Sequence, residues 1–298
     1  MVCGVLDGTS RPYLHFQSLV YYAVSLLDIY IYIAELLPVL RFLCSCVLIV
    51  DSSKYPRSPA TMFGNSRYFG LTGTKLNIAI GVLAGLDFLL FGYDQGVMGA
   101  LLSLPSFVKV FPEIDVRAET EAAQGLTQSQ MTHRSTIQGI SVASYNVGCF
   151  FGAVTTIWIG DILGRRKTIF LGSSIMVVGA ALQCSSFTLG QFISGRLVTG
   201  FGNGLNTSTG PTWQSECSKS HRRGQLVMIE GALITGGICI SYWLDLAFSF
   251  LEPSTISWRF PIAFQIVFAL IILALIMELP ESPRWLILKG NSRYTFHS

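Results

Sequence analysis

A short charged segment, Gly160-Asp161-Ile162-Leu163-Gly164-Arg165-Arg166-Lys167, separates two long apolar runs, Ser135 to Ile159 and Thr168 to Phe187. Each run is long enough as a helix to cross a hydrocarbon core of about 30 Å. Lys and Arg in short loops are retained on the cytoplasmic side of a membrane, so the three consecutive cations fix the direction of the helices on either side.

Composition agrees with this reading. Hydrophobic residues make up 51% of the 298 and charged residues only 12%, against about 25% charged in soluble domains. The fold class is therefore an all-α membrane protein. Its formal net charge of +3 carries no implication of nucleic-acid binding, because the placement of the cations matters more than their number. Seven scattered cysteines form neither a disulfide framework nor a metal-ligand spacing, so no metal and no cofactor is expected.

Six spans are predicted, at about 76–104, 135–159, 168–187, 191–213, 225–250 and 260–279. Arg165, Arg166 and Lys167, then Lys219, Arg222 and Arg223, then Arg284 and Lys289 mark one side of the membrane. The other side holds the acid-rich stretch from Lys109 to Arg134, an uncharged turn near Ser185 and a loop with Glu252. With the first span starting in the cytoplasm, all six directions agree.

The first sixty-one residues fit this pattern poorly. Leu19 to Val50 is apolar but broken by Asp28, Glu35, Pro38 and Arg41, so an extra span remains an alternative. The expectation is an atypical extension over 1–61, disordered or mispredicted, ahead of a functional chain that begins at Met62.

Two spans carry polar or small stripes. Gln138, Ser141, Tyr145, Gly148 and Gly152 recur at helical spacing in the second, and Arg196, Thr199, Asn203, Asn206 and Gly210 in the fourth. Helix packing through small residues accounts for Gly92/Gly96, Gly148/Gly152 and Gly200/Gly204. It does not account for Arg196, since a guanidinium within a span costs several kcal/mol unless paired or wetted. Asp94 lies at a similar depth in the first span, within about 10 Å at 1.5 Å per residue. An ion pair between the two is feasible, either as a static bridge or as a protonatable carboxylate that responds to its partner. Asp87 shares a face with Asp94, in a packing or a cavity-lining role.

Several motifs in order resemble one family. Phe91-Gly92-Tyr93-Asp94-Gln95-Gly96, Gly160-Asp161 with Gly164-Arg165-Arg166, Gly195-Arg196, Glu216 followed by Arg223-Gly224, and Pro280-Glu281-Ser282-Pro283-Arg284-Trp285-Leu286 look like the sugar porter branch of the major facilitator superfamily, its fungal monosaccharide transporters in particular. The resemblance spans Met62 to Gly290. It implies two six-helix bundles with substrate bound between them and access alternating by rocking. Of these, the chain would supply the N-terminal bundle, 62–290, followed by a truncated tail, 291–298.

What the resemblance implies for function is proton-coupled symport of a monosaccharide, with Asp94 as coupling acid and Arg196 as its partner. Substrate-cavity candidates are Tyr93, Gln95, Gln138, Asn203 and Gln265. Asp161, Arg165, Arg166, Glu216, Arg223, Glu281 and Arg284 would form ion pairs that gate the cytoplasmic side. Expected partners are a sugar, a proton and the lipid bilayer of the plasma membrane, together with the missing C-terminal bundle or a second copy of the chain. A lone bundle should leave Asp94 and Arg196 uncovered. The fifth span lacks the Gln with which sugar porters often bind hydroxyls, and Glu230 stands nearby. The sugar itself therefore stays open. Alternatives are a nutrient sensor on the same fold or an inactive truncated fragment. No loop gathers a nucleophile, base and orienting acid, so no enzyme is expected.

Overall fold

Lipid offers the backbone no hydrogen-bond partners, so apolar runs of this length satisfy their own N–H and C=O groups as helices. The computed structural model describes residues 73–116, 127–218, 223–252 and 254–289. The expectations for 1–61 and 291–298, and the cations Lys219 and Arg222, lie outside the described residues. Among the described residues there are six long helices: α1 (Thr74–Leu101), α3 (Gln128–Leu163), α4 (Arg165–Cys184), α5 (Leu189–Cys217), α6 (Arg223–Ser249) and α7 (Ile256–Ile276). The short helices α2 (Pro105–Val110) and α8 (Pro283–Leu288) and a 3₁₀ turn at Pro112–Ile114 join them, and no strand occurs among the described residues.

The boundaries depart from the apolar limits in two places. Helix α3 starts at Gln128, ahead of Ser135, where Thr127 and Gln130 form a capping box and Gln130 Oε1 accepts from the Thr127 N–H at 2.9 Å. A hydropathy limit does not stop a helix whose next residues are polar, and here the capping box marks its start. The stretch expected to be an outer loop from Lys109 onward begins inside α2, whose Phe107 packs edge-on against Phe111, Phe192 and Trp258 at 5.0 to 5.5 Å. Glu252 holds this aromatic plug down, accepting from the hydroxyls of Ser106 at 2.7 Å and Ser257 at 3.2 Å.

Five of the six long helices are apolar enough to cross a membrane. The exception is α5, whose 29 residues span about 43 Å at 1.5 Å per residue. Its polar residues escape lipid because α5 is central: it packs on α3, α4 and α1, and Gln191, Arg196, Thr199, Asn203, Asn206 and Gln214 are all buried.

Glycines set these contacts. A Cβ at Gly148 or Gly152 would overlap the α5 backbone at Leu197 and Phe201, and one at Gly200 or Gly204 would overlap the α3 backbone at Tyr145 and Cys149. The α1–α6 contact repeats the scheme, with Gly92 against Ile234 and Gly237 against Leu89 and Tyr93. Gly92 and Gly96 are four residues apart, as are Gly200 and Gly204, so each pair sits on one face of its helix, toward α6 and α3 respectively. Helices α3, α4 and α5 pack together, as do α1, α6 and α7, and the two sets meet where α4 packs on α7 and α1 on α5.

Candidate functional site

Close packing of α1, α3 and α5 builds a buried polar chain in the half of the bundle away from the Arg165-Arg166-Lys167 turn. Asp94, on α1, is 2% exposed, and Arg196, on α5, is 3% exposed. The expectation that a lone bundle leaves them uncovered is corrected here: the glycine-tight helix contacts seal both. No direct ion pair joins them among the described residues; Tyr145 of α3 stands between. Its hydroxyl donates to Asp94 Oδ2 at 3.4 Å and accepts from Asn203 Nδ2 at 2.5 Å, while the Arg196 guanidinium lies 5.0 Å from the centre of its ring. Arg196 Nε has no hydrogen-bond partner. A carboxylate, a phenol, an amide and a guanidinium thus share one buried spot, where a change of charge on one is felt strongly by the rest.

The other cavity candidates are dispersed. Tyr93 is fully buried, with its hydroxyl donating to Pro261 O at 2.7 Å and its ring against Phe264 and Phe268. Gln95 donates to Asn146 Oδ1 at 2.9 Å across the α1–α3 groove. Gln138 is half-buried, and Gln265 is buried with Oε1 unpartnered. Sequence reasoning missed Tyr145 as the bridge and Asn206 as the partner of Asp87 at 2.9 Å. Both stood in the polar stripes, but the stripe alone does not say which neighbour each side chain reaches.

At the end of the bundle that carries the Arg165-Arg166-Lys167 cations, the turn between α3 and α4 is made by Gly164 at φ 90°, a left-handed conformation that suits glycine. Helix α4 has no cap from its own sequence. Glu281, arriving from beyond α7, supplies one: its Oε1 accepts from the Arg165 N–H at 2.9 Å and from the Arg166 N–H at 3.3 Å. Burial pushes the Glu281 carboxyl above the usual value, opposed by the N–H groups it accepts from and by the Arg166 charge. Arg165 reaches Glu216 of α5 through Nε and Nη2, both at 3.4 Å, and Asp161 through Nη1 at 3.4 Å. Ser282 donates to Glu216 Oε2 at 2.5 Å and caps α8, while Arg166 donates to the carbonyls of Ile276 and Met277. Trp285 Nε1 closes the ring on Asp161 O at 3.1 Å. Arg223 and Arg284 form no ion pair with another described residue. The cluster clamps the ends of α3, α4, α5 and α7 together.

A multi-pass helical bundle with charged groups sealed in its core and an ion cluster at one end has the architecture of a major facilitator transporter. The proton:xylose symporter XylE, bound to 6-bromo-6-deoxy-D-glucose, superposes with a TM-score of 0.64 at 24% identity, over 74% of this chain and 48% of that one. The inward-open form of XylE from E. coli gives 0.57 at 26% identity, over 72% and 50%. The model of the "Sugar (and other) transporter" family matches residues 80–295, and the chain belongs to that family. Sugar transporter STL1 of Saccharomyces cerevisiae is 43% identical over 229 residues, 76% of this chain and 38% of that protein. The major facilitator superfamily transporter mfsA of Aspergillus fumigatus is also 43% identical, over 74% of this chain and 40% of its own length. The chain thus spans about two fifths of the length of these relatives.

Proposed function

We propose that the protein is the N-terminal half of a plasma-membrane, proton-coupled monosaccharide carrier that works with a second six-helix bundle. The sealed Asp94–Tyr145–Asn203 chain beside Arg196 carries this reading. Outside, protonation neutralises Asp94 and loosens the hold between α1 and α5, which allows the outer side to close over sugar. On the cytoplasmic side, loss of the proton restores the charge and resets the carrier. The ion cluster around Arg165, Glu216 and Glu281 stabilises the state in which the cytoplasmic ends lie together, and as a network it biases that equilibrium more than isolated surface pairs of about 0 to 1 kcal/mol would. The relatives' names and the proton:xylose symporter's fold support a sugar as substrate.

The test is uptake of labelled monosaccharides into vesicles under an inward pH gradient. The chain is reconstituted together with the C-terminal bundle of the yeast relative. Accumulation against the sugar gradient is expected, and Asp94→Asn should abolish it while leaving downhill exchange. Accumulation by Asp94→Asn equal to wild type would overturn the coupling role.

A further inference from the structure

Asp94 and Tyr145 make one rung between α1 and α3, and the residue after each makes another. Gln95 Nε2 donates to Asn146 Oδ1 at 2.9 Å, beside the 3.4 Å hydrogen bond from Tyr145 to Asp94. The rungs differ in their surroundings: Asp94 and Tyr145 are buried, whereas Gln95 is half-buried and Asn146 is exposed. Asn146 lies midway along the 36 residues of α3, a depth at which an amide facing hydrocarbon would go without most of its hydrogen bonds. A side-chain amide carries two N–H groups and one carbonyl. The rung uses one N–H of Gln95 and the carbonyl of Asn146, and it leaves the Gln95 carbonyl and the Asn146 N–H groups without a partner among the described residues.

Two neighbouring features suit a polyhydroxylated molecule on this open side better than lipid. Phe91, one turn before Gln95 on α1, stacks on Tyr145 with ring centres 6.4 Å apart, so an aromatic wall adjoins the free amide groups, the mixture that small-molecule sites use. Seven and eleven residues beyond Asn146, on the same face of α3, Ala153 and Ile157 line a cavity of about 250 Å³ that extends to Arg165. Thr156, Ser208 and Thr212, also in its wall, donate their hydroxyl hydrogens to the carbonyls of Gly152, Gly204 and Ser208. With those hydrogens committed, what the three hydroxyls can offer a ligand is lone pairs, which accept from the hydroxyl groups of a sugar.

We propose that Gln95 and Asn146 bind two adjacent ring hydroxyls of the transported sugar and set which hydroxyls the carrier requires, an assignment that rests on the carrier reading above. One hydroxyl accepts from Asn146 Nδ2, and its neighbour donates to Gln95 Oε1. Because Gln95 follows Asp94 and Asn146 follows Tyr145, a sugar bridging the two amides holds α1 and α3 at the spacing that the Tyr145–Asp94 hydrogen bond also needs. Sugar and the charge on Asp94 are thereby linked through adjacent rungs, and such a linkage acts equally in both directions.

The experiment is equilibrium exchange in the two-bundle vesicles at equal pH on both sides, over a panel of labelled hexoses, pentoses and polyols. The best substrate is then competed against its singly deoxygenated analogues, one for each hydroxyl. Asn146→Leu should raise the half-saturating concentration about tenfold, as the loss of a hydrogen bond would, with the maximal rate retained. It should also stop distinguishing the parent sugar from the analogue lacking the contacted hydroxyl, while the other analogues keep their ranking. Gln95→Leu, on the facing helix, should do the same at the neighbouring hydroxyl. Since Asn146 is exposed, the unfolding temperature of the 298-residue chain should stay close to wild type in Asn146→Leu. Half-saturation unchanged in both variants, or all analogues weakened alike because the pair merely fastens α1 to α3, would overturn the proposal. Exchange without accumulation fails the coupling reading and leaves this one standing; no exchange of any sugar by the unaltered carrier overturns both.

Discussion

Tyr145 donates its hydroxyl to Asp94 while its ring lies beneath the guanidinium of Arg196, so the acid and the base of the outer site meet through one phenol. The arrangement keeps two opposite charges close without letting either satisfy the other fully. Removing the phenolic oxygen therefore separates the electrostatic role of this residue from its packing role.

Tyr145→Phe keeps the ring under Arg196 and strips the donor from Asp94 and the acceptor from Asn203. Two buried polar groups lose a partner at once, at a cost of about 1 to 3 kcal/mol. Equilibrium unfolding in detergent should show that loss, and the pH dependence of uptake in the two-bundle vesicles should change with it.

Helix separation at α3–α5 is set by hydrogen atoms where side chains would stand. Gly200→Ala forces a methyl group into the Tyr145 backbone and should destabilise by about 1 to 3 kcal/mol. At Gly231 a Cβ meets nothing within 4 Å, so Gly231→Ala should be neutral or stabilising by up to about 1 kcal/mol. Thermal denaturation of the two variants side by side tests the contrast.

Glu281 couples the clamp to pH. Because burial raises its carboxyl above the unfolded value of 4.5, the folded state binds more protons than the unfolded state. Stability from this group is complete below the unfolded value and falls as pH rises through the folded one. Glu281→Gln should flatten that part of the stability curve while leaving a cap on α4. Glu281→Ala should lose the cap as well, at about 1 kcal/mol. Unfolding midpoints across the acid range read both.

Arg165→Lys retains the charge and loses the two-pronged contact with Glu216, since an ammonium cannot present parallel N–H groups. A loss of about 1 kcal/mol is expected in unfolding measurements. In the two-bundle carrier the inward-facing population should rise, measurable as cross-linking or spectroscopic distance change at the cytoplasmic ends.

The apolar runs and the cations between them made the six helices and their alternation legible, because hydrophobic length and loop charge act locally along the chain. The stripe of Arg196, Thr199, Asn203 and Asn206 likewise announced a helix with a buried polar side. Boundaries were less legible: the cap at Thr127 and the aromatic plug at Phe107 follow polar hydrogen bonding and ring packing, which a hydropathy pattern does not register.

Sequence by itself determined where the long helices from Thr74 to Ile276 lie and which residues are too costly to leave in lipid. Only the tertiary structure decided who meets whom: Tyr145 between Asp94 and Arg196, Asn206 on Asp87, Glu281 on the first turn of α4. Those pairings depend on helix register, fixed by glycines whose missing side chains bring backbones together from positions far apart in the chain, and register is a property of two helices at once.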